Sequence, residues 1–334
     1  MIDHTTLAGA NIVVVGASGF LGRPLVRRLV ALGAQVTAVS RNPQAAADGA
    51  QWIASDASDA AQTERLFEQT RPGIVYILTS ASLGGPDLEF VQPAVRNDVV
   101  ATVNILVEAT RHGCRHVVMT GSPDEPEGMA RSAIPSTPYG AAKWVIGGYA
   151  RMFKRLYGTP ISILRVMVTY GPGQKNYKVV PSTVEALLRN QTARLGSGKR
   201  LIDWVYVDDV MDALVRVGAS APLDSTIDIG SGTLVSVHDC ALLIGNLMNR
   251  AHLLEFDPAR DRRYEEVGAA DTHPAEHYLG WRATTPLQDG LKRTISAFES
   301  ELAASRQLPG TAAQTPVSTA STVAHRPGPR HSST

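Results

Sequence analysis

Residues 11–22 read NIVVVGASGFLG, and this stretch decides the fold class of the chain. The β-branched residues at 12–15 predict a short buried strand. Glycines at positions 16, 19 and 22 form a GxxGxxG turn, and residues 21–32 have the apolar spacing of a helix. A strand, a glycine turn and a helix in this order are typical of the first unit of a dinucleotide-binding sheet.

The rest of the first half repeats the same alternation. Apolar runs predict strands at 35–39, 51–54, 74–78, 116–119 and 161–164, and helical spacing covers 63–69, 90–111 and 139–156. We therefore predict an α/β fold, a Rossmann-type doubly wound parallel sheet with a smaller C-terminal α/β substrate lobe. Residues 10–170 with 203–231 would form the Rossmann domain, and 171–202 with 232–303 the smaller lobe. Residues 304–334, rich in Pro, Ser, Thr and Ala, are expected to be a disordered tail.

Composition excludes several classes of function. The 334 residues carry a formal net charge of +1, which gives no reason to expect nucleic acid or a membrane surface as partner. Cys114 and Cys240 are far apart, and the histidines form no HxH or HExxH pair, so neither a disulfide framework nor a metal site is expected. With no signal-peptide pattern and no apolar run of membrane-spanning length, a cytoplasmic location is expected.

The glycine turn predicts that the cofactor is a nicotinamide dinucleotide. Gly16, Ser18, Gly19, Phe20, Leu21 and Gly22 would hold its pyrophosphate at the helix N-terminus. The second strand ends at Ser40 and Arg41, where NAD-binding proteins place a carboxylate for the ribose 2′-hydroxyl. Because arginine pairs with a 2′-phosphate, we predict NADP rather than NAD; the alternative is that Arg41 is a solvated loop residue. Further cofactor contacts are expected from Asp56, Ala57 and Thr79.

Tyr139 and Lys143 lie four residues apart at the start of a predicted helix, so their side chains share one face. A neighbouring ammonium favours the phenolate and is expected to lower the pKa of Tyr139. The tyrosine would then exchange a proton with a sugar hydroxyl or carbonyl while a hydride moves to or from the nicotinamide. YxxxK alone is common by chance, but after a GxxGxxG turn it is far more specific.

With these motifs the chain resembles the extended short-chain dehydrogenase/reductase family of nucleotide-sugar epimerases, dehydratases and ketoreductases. The resemblance covers residues 10–303 and includes GASGFLG at 16–22, Ser122, YGAAK at 139–143, YGPGQ at 170–174, WVYVDD at 204–209 and LGW at 279–281. It implies that Ser122, Tyr139 and Lys143 form a catalytic triad and that Tyr139 and Lys143 also contact the cofactor. It further implies a nucleotide-diphosphate sugar as substrate and a homodimer built on two helices per subunit.

The chain also departs from the family pattern. The dehydratase Thr-Asp-Glu run is Ser122-Pro123-Asp124-Glu125 here, so the carboxylates are displaced by one place. Ile202 and Val168 occupy positions where the family often has arginine and asparagine. The family's helix-four asparagine is Asp98, unless Asn97 takes its place. The candidate substrate-binding residues are Asp124, Glu125, Lys175, Lys199 and Arg200; the alternative is that these are exposed loop charges.

These observations favour an NAD(P)H-dependent ketoreductase acting on an NDP-4-keto-deoxysugar. The NADP-type pocket suits net reduction, and the disrupted acid/base run argues against dehydration. The alternatives are a nucleotide-sugar 4-epimerase and then a 4,6-dehydratase. A regulatory protein that only binds NADPH is a further alternative, against which the intact Ser122, Tyr139 and Lys143 argue.

Overall fold

The computed structural model describes residues 4–45, 48–80, 85–125, 134–261 and 268–307. Twelve strands are found in these ranges: β1 (Asn11–Val15), β2 (Gln35–Ser40), β3 (Gln51–Ala54), β4 (Ile74–Ile77), β5 (His116–Gly121), β6 (Ile161–Val166), β7 (Val168–Tyr170), β8 (Ala193–Leu195), β9 (Leu201–Tyr206), β10 (Ile227–Ile229), β11 (Leu234–Ser236) and β12 (Leu254–Phe256).

The helices of the described ranges are α1 (Gly22–Ala31), α2 (Ala60–Thr70), α3 (Val91–Ala94), α4 (Ala101–Arg111), α5 (Pro138–Tyr157), α6 (Val179–Leu188), α7 (Val207–Ala219), α8 (Val237–Leu247), α9 (His273–Leu279) and α10 (Leu287–Gln307). A π-helical segment, Val95–Val100, joins α3 to α4. Short 3₁₀ turns occur at His4–Leu7, Leu88–Phe90, Ala251–Leu253 and Pro258–Arg260.

Seven parallel strands form the central sheet, in the order β10-β6-β5-β4-β1-β2-β3. Successive side chains of a strand point to opposite faces. Along β1, Ile12 and Val14 pack in the cluster that contains α1 and α7, whereas Val13 and Val15 pack in the cluster that contains α2, α4 and α5. Helices therefore cover both faces, which is why these strands are continuous apolar runs in the sequence. The predicted Rossmann-type fold is confirmed.

The strand order reverses between β1 and β4. The chain adds β2 and β3 on one side of β1, and β4, β5 and β6 on the other side. In open α/β sheets, ligands bind in the crevice that this reversal opens at the carboxyl ends of the strands. The segments that follow β1, β2, β4 and β5 all reach this edge, since the four strands are parallel.

A second group of elements follows β6. β9 pairs in parallel with β7 and antiparallel with β11, and β8 pairs with β12. The fully buried carboxylate of Asp203 in β9 accepts hydrogen bonds from the backbone N–H groups of Ser231, Gly232 and Ala270. These bonds tie the three-stranded sheet to the segments that follow β10, a strand of the central sheet.

Two elements differ from the sequence-based expectations. The predicted helix 90–111 occupies the expected stretch, but it changes from α to π and back to α. Helix α10 continues to Gln307, so residues 304–307 of the expected tail are helical. The remainder of that tail, 308–334, lies outside the described residues. Among the described helices, none is long and apolar enough to span a bilayer.

Candidate active site

The turn between β1 and α1 brings the backbone close to two neighbouring segments. Gly16 has a φ of +86°, and its N–H donates to the carbonyl oxygen of Val39 at 3.1 Å. A Cβ on Gly16 would lie 2.8 Å from the carbonyl carbon of Leu78, and one on Gly22 would lie 2.2 Å from the carbonyl oxygen of Gly16. No side chain caps the N-terminus of α1. An uncapped helix N-terminus behind a glycine turn suits the pyrophosphate of a dinucleotide.

A cleft of about 630 Å³ opens beside this turn. Its volume falls within the range of about 300–1,000 Å³ that is usual for small-molecule sites. Nine of the predicted cofactor residues line it: Gly16, Ser18, Gly19, Phe20, Ser40, Arg41, Asp56, Ala57 and Thr79. Leu21 and Gly22 lie behind the turn, where Leu21 packs against the core and Gly22 against the backbone of Ala17. The cleft therefore fits the predicted dinucleotide.

Sequence reasoning missed part of the wall of this cleft. The segment that follows β7 contributes, together with basic residues of α1 and one residue of the π-helical segment; the additional lining residues include Arg23, Arg27, Asn97, Gln174, Lys175, Tyr177 and Lys178. Lys175, a candidate for the substrate diphosphate, lies in this wall. The contribution of residues 174–178 depends on where the segment after β7 crosses the sheet edge, which the sequence alone does not indicate.

The end of β2 carries an arginine and no carboxylate. Arg41 is exposed, and its Nη1 donates to Oδ1 of Asn97 at 3.0 Å. The Ser40 hydroxyl donates to the carbonyl oxygen of Asn42 at 2.6 Å. The guanidinium therefore lies at the rim of the cleft, held by one exposed hydrogen bond.

Asp56 is an ionised carboxylate with partners of its own. Its Oδ1 accepts from the N–H and the hydroxyl of Ser58, and its Oδ2 lies 2.9 Å from Nη2 of Arg96. Burial raises the pKa of Asp56, but the Ser58 hydrogen bonds and the Arg96 charge outweigh burial and hold it below the usual value. Asp56 lines the cleft while these contacts fix its orientation.

Ser122, Tyr139 and Lys143 meet where β5 ends and α5 begins. Thr137 caps α5 by accepting from the N–H of Gly140 at 3.0 Å, and Pro138 occupies its first turn. One turn of this helix places the Lys143 Nζ 5.7 Å from the centre of the Tyr139 ring. Ser122 lies beside the Tyr139 phenol and acts on its pKa. The structure thus brings the three predicted triad residues together.

Burial and negative charge determine the protonation of this group. Burial raises the pKa of Tyr139, and the carboxylates of Asp124, Asp98 and Glu125 raise it further, against the Ser122 hydrogen bond. This direction is opposite to the lowered pKa that the nearby Lys143 led us to expect. Burial lowers the pKa of Lys143, which is 3% exposed, while the charges of Asp98 and Glu125 oppose that effect. The tyrosine is held as a neutral phenol.

The two acids that follow Ser122 have different surroundings. Oε1 of Glu125 accepts from the backbone N–H of Ser122 at 2.6 Å, and burial raises its pKa. Oδ1 of Asp124 lies 3.5 Å from Nη2 of Arg200. The alternative that these residues are exposed loop charges is wrong, since both are half-buried and engaged beside the triad.

Lys199 is the last of the candidate substrate-binding residues. Lys199 is exposed, and its backbone N–H donates to the Ser197 hydroxyl. Its charge acts on Asp261, whose carboxylate accepts from the N–H of Ser197. Of Lys199 and its neighbour Arg200, only Arg200 is in contact with Asp124, whose N–H donates to the Ser122 hydroxyl. The described residues contain no cluster of three or more side chains suited to a metal ion.

A model of the NAD dependent epimerase/dehydratase family matches residues 12–230. The chain belongs to this family. It is therefore an enzyme of an NAD(P)-dependent class, and its resemblance to the extended short-chain dehydrogenases is confirmed.

Relatives extend this likeness over most of the chain. A UDP-glucose 4-epimerase from Mycolicibacterium smegmatis is 29% identical, covering 86% of this chain and 98% of the relative. A dTDP-glucose 4,6-dehydratase from Salmonella typhimurium is 24% identical over 86% of this chain and 92% of its own length. The crystal structure of a UDP-glucose 4-epimerase from Thermotoga maritima with UDP-glucose is 25% identical, with a TM-score of 0.78 over 87% of this chain and 99% of that chain. MoeE5, solved with UDP-glucuronic acid and NAD, is 26% identical with a TM-score of 0.76 over 87% of this chain and all of that one, 100%.

Asn97 and Asp98, the two candidates for the helix-four asparagine position, have different surroundings in this epimerase/dehydratase family member. Asn97 accepts from Arg41 at the rim of the cofactor cleft. Asp98 is fully buried, 0% exposed, in the same π-helical segment. Ile202 and Val168, the other departures, are side chains of β9 and β7.

Proposed function

We propose that this enzyme transfers a hydride between a nicotinamide cofactor and a nucleotide-diphosphate sugar, with Ser122, Tyr139 and Lys143 as its catalytic group. The cleft beside the glycine turn, and the meeting of the three side chains at the sheet edge, support the assignment. Relatives named for UDP-glucose and dTDP-glucose support the class of substrate. When bound, the cofactor supplies the hydride at its nicotinamide ring.

We further propose that the cofactor is NADPH. The wall of the cleft carries Arg41 at the end of β2, and the carboxylates among its lining residues are Asp56 and Glu301, both on other elements. A 2′-phosphate would be attracted by Arg41 and repelled by a carboxylate at the same place. Arg23 adds a second guanidinium to this wall.

The reaction we propose is reduction of an NDP-4-keto-deoxysugar to the alcohol. The observation that carries this proposal is Arg41 at the end of β2, since a site for NADPH suits net reduction. Tyr139 would donate its proton to the ketone oxygen. Ser122 would orient the ketone oxygen, and Lys143 would hold the cofactor ribose and the tyrosine. Glu125 and Asp124, engaged with the Ser122 N–H and Arg200, are poorly placed for water elimination.

The test is consumption of NADPH, with NADH in parallel, when the purified protein is given TDP-4-keto-6-deoxyglucose. Stoichiometric loss of NADPH, with NADH much poorer, supports both the reductase and the cofactor proposals. Tyr139→Phe should lose most of the turnover while NADPH still binds. Turnover that survives this substitution would rule out Tyr139 as the proton donor.

A nucleotide-sugar 4-epimerase is the second candidate. It is favoured by the UDP-glucose 4-epimerase that is 29% identical and covered over 98% of its length. Such an enzyme keeps its cofactor through each cycle and consumes none. Cofactor retained through purification, with no net oxidation of NADPH, would replace the reductase with the epimerase.

We also propose that the protein is a homodimer. Two helical stretches expose apolar side chains: Leu88, Val91 and Val95 before α4, and Val145, Tyr149 and Leu156 on α5. The last three have the spacing of one helix face. Exposed patches of this kind commonly mark protein interfaces. Sedimentation analysis of the wild type and of Val145→Glu should show a dimer and a monomer, and a monomeric wild type would refute the proposal.

We propose a cytoplasmic location for this enzyme. Cys114 and Cys240 are both buried free thiols, which fits a reducing compartment. Fractionation of cells that produce the tagged protein would test the location.

A further inference from the structure

The segment that follows β7, residues 171–178, leads from the three-stranded sheet to the cofactor cleft. Its first four residues form a turn, in which the N–H of Gln174 donates to the carbonyl oxygen of Gly171 at 3.4 Å. Gly173 has a φ of +78° in this turn, a conformation that favours glycine. The side chain of Gln174 is held as well, because its Nε2 donates to the carbonyl oxygen of Thr169 at 2.8 Å. Gln174 therefore joins the wall of the cleft in one defined orientation.

Three side-chain oxygens in the wall of the cleft are buried and have no hydrogen-bond partner among the residues that the structure describes. They are Oγ of Ser55, Oγ1 of Thr79 and Oε1 of Gln174. Buried polar atoms are paired in the great majority of cases, so unpaired ones in a cleft indicate contacts to a ligand. Ser55 and Thr79 follow strands of the central sheet, whereas Gln174 follows β7. A ligand that pairs all three oxygens would contact both groups of strands.

The orientation of Gln174 determines which chemistry this ligand must offer. Since the Thr169 carbonyl can only accept, the amide nitrogen of Gln174 faces it and the amide oxygen is the atom left without a partner. An amide oxygen only accepts hydrogen bonds, so the ligand must supply an O–H or N–H group. A ribose hydroxyl of a dinucleotide meets this requirement, whereas an ionised phosphate oxygen does not.

Lys175 adds a positive charge next to this oxygen in the chain. Its side chain is exposed, and it has no ion pair or side-chain hydrogen bond with any residue in the described ranges. By contrast, Arg27 in the same wall is already paired with Asp48 at 2.7 Å. Positive charge predominates in the wall, which suits the pyrophosphate of a dinucleotide. The charged lining residues are Arg23, Arg27, Arg41, Lys175 and Lys178, against Asp56 and Glu301.

We propose that the segment after β7 binds the dinucleotide, with Gln174 accepting from a ribose hydroxyl and Lys175 pairing with the pyrophosphate. Lys175 thus serves the cofactor and not the diphosphate of the sugar nucleotide, for which the sequence made it a candidate. The inference rests on the assignment of a dinucleotide to this cleft. It goes beyond the proposed reaction, since it depends neither on the sugar that is reduced nor on the 2′-phosphate.

The first experiment measures the binding of NADPH, NADH and ADP-ribose by calorimetry, without a sugar substrate. All three ligands contain the pyrophosphate, so Lys175→Met should weaken all three by a similar factor, about tenfold for one contact to a charged group. The matched control is Lys292→Met, which removes a lysine of α10 whose ammonium lies 3.4 Å from the carboxylate of Asp289. The control should change none of the three dissociation constants.

The other outcomes separate this inference from the assignments on which it builds. Unchanged dissociation constants in Lys175→Met, or a loss confined to NADPH, would overturn the role of Lys175. If TDP binds more weakly to the variant while the dinucleotides bind as before, Lys175 serves the sugar nucleotide and the proposal is wrong. A wild type that binds none of the three ligands refutes the assignment of the cleft, and the inference with it. Weakened binding in Lys175→Met without turnover of TDP-4-keto-6-deoxyglucose sustains the inference and refutes the proposed substrate.

The second experiment tests the oxygen of Gln174. Gln174→Met keeps the length of the side chain and removes the acceptor, so NADPH and NADH should each bind about fivefold more weakly. The variant also loses the hydrogen bond to Thr169, and thermal unfolding of the ligand-free protein measures that loss separately. Thr79→Val is the companion variant, which should weaken binding without lowering the Tm of the ligand-free protein, because its hydroxyl has no partner to lose. Dissociation constants equal to those of the wild type in Gln174→Met would overturn the role of Gln174, whatever its Tm.

Discussion

Arg41 offers the sharpest test of the cofactor assignment. Its guanidinium is exposed at the end of β2 and donates a hydrogen bond to Oδ1 of Asn97 at 3.0 Å. Arg41→Ala should weaken the binding of NADPH and leave the binding of NADH unchanged, because only NADPH carries the 2′-phosphate.

The magnitude follows from the exposure of this side chain. Hydrogen bonds to charged groups contribute about 1.5–3 kcal/mol. Arg41 is screened by water and exchanges its bond to Asn97 for one to phosphate, so the lower value of about 1.5 kcal/mol applies, which is roughly a tenfold loss. Because the pair would be exposed, the loss should shrink as the salt concentration rises.

Quenching of protein fluorescence by NADPH and by NADH measures both dissociation constants without a sugar substrate. Arg65→Ala, which removes an exposed guanidinium from α2, is the matched control and should change neither constant. Arg41→Asp should go further and favour NADH, since a carboxylate suits the free ribose hydroxyl. If Arg41→Ala weakens the binding of NADPH and NADH equally, or weakens neither, the assignment of NADPH as cofactor is refuted.

Three further predictions concern the scaffold. In Gly16→Ala the new Cβ would lie 2.8 Å from the carbonyl carbon of Leu78, at a backbone φ of +86°. Both thermal stability and NADPH binding should therefore fall. A variant that keeps both would contradict the close approach of the two backbones. Asp203→Ala removes a fully buried carboxylate that accepts from three backbone N–H groups, of which that of Ala270 is buried, and should cost about 3 kcal/mol in urea unfolding. A cost below about 1 kcal/mol would mean that water replaces the carboxylate. Burial lowers the pKa of His116 from 6.5 to about 4, and its Nε2 lies 2.7 Å from the Ser162 hydroxyl. The neutral ring therefore stabilises the fold above pH 6.5, and up to about 3 kcal/mol is lost as pH falls toward 4. His116→Gln should flatten this acid limb of unfolding free energy, and an equally steep limb in the variant would refute the assignment.

Short sequence patterns were sufficient to predict features that depend only on residues close together in the chain. Residues 11–22 predict the first strand, the glycine turn and α1, because β-branched runs, glycine and helical spacing each restrict the backbone by themselves. The spacing of Tyr139 and Lys143 on one helix face follows from helical geometry. Both features need only neighbours in the chain, and the structure places both as the spacing requires.

Contacts between distant segments were not readable in this way. Lys175 enters the cofactor wall because the segment after β7 crosses the sheet edge, and Glu125 turns back to the Ser122 N–H instead of toward solvent. The nearby Lys143 led us to expect a lowered pKa for Tyr139. Burial and the carboxylates gathered around the phenol raise it instead, and neither can be read from the spacing of the two residues.

The sequence by itself thus determined the family, the parallel sheet and the turn for the dinucleotide, all of which are encoded in short runs of residues. Only the tertiary structure decided that Asn97 lines the cleft while its neighbour Asp98 is fully buried. Consecutive residues of a helix point in different directions, and which of those directions is buried depends on what packs against the helix. Burial then fixes the charge of the site, and burial is a property of the packed chain rather than of any residue in it.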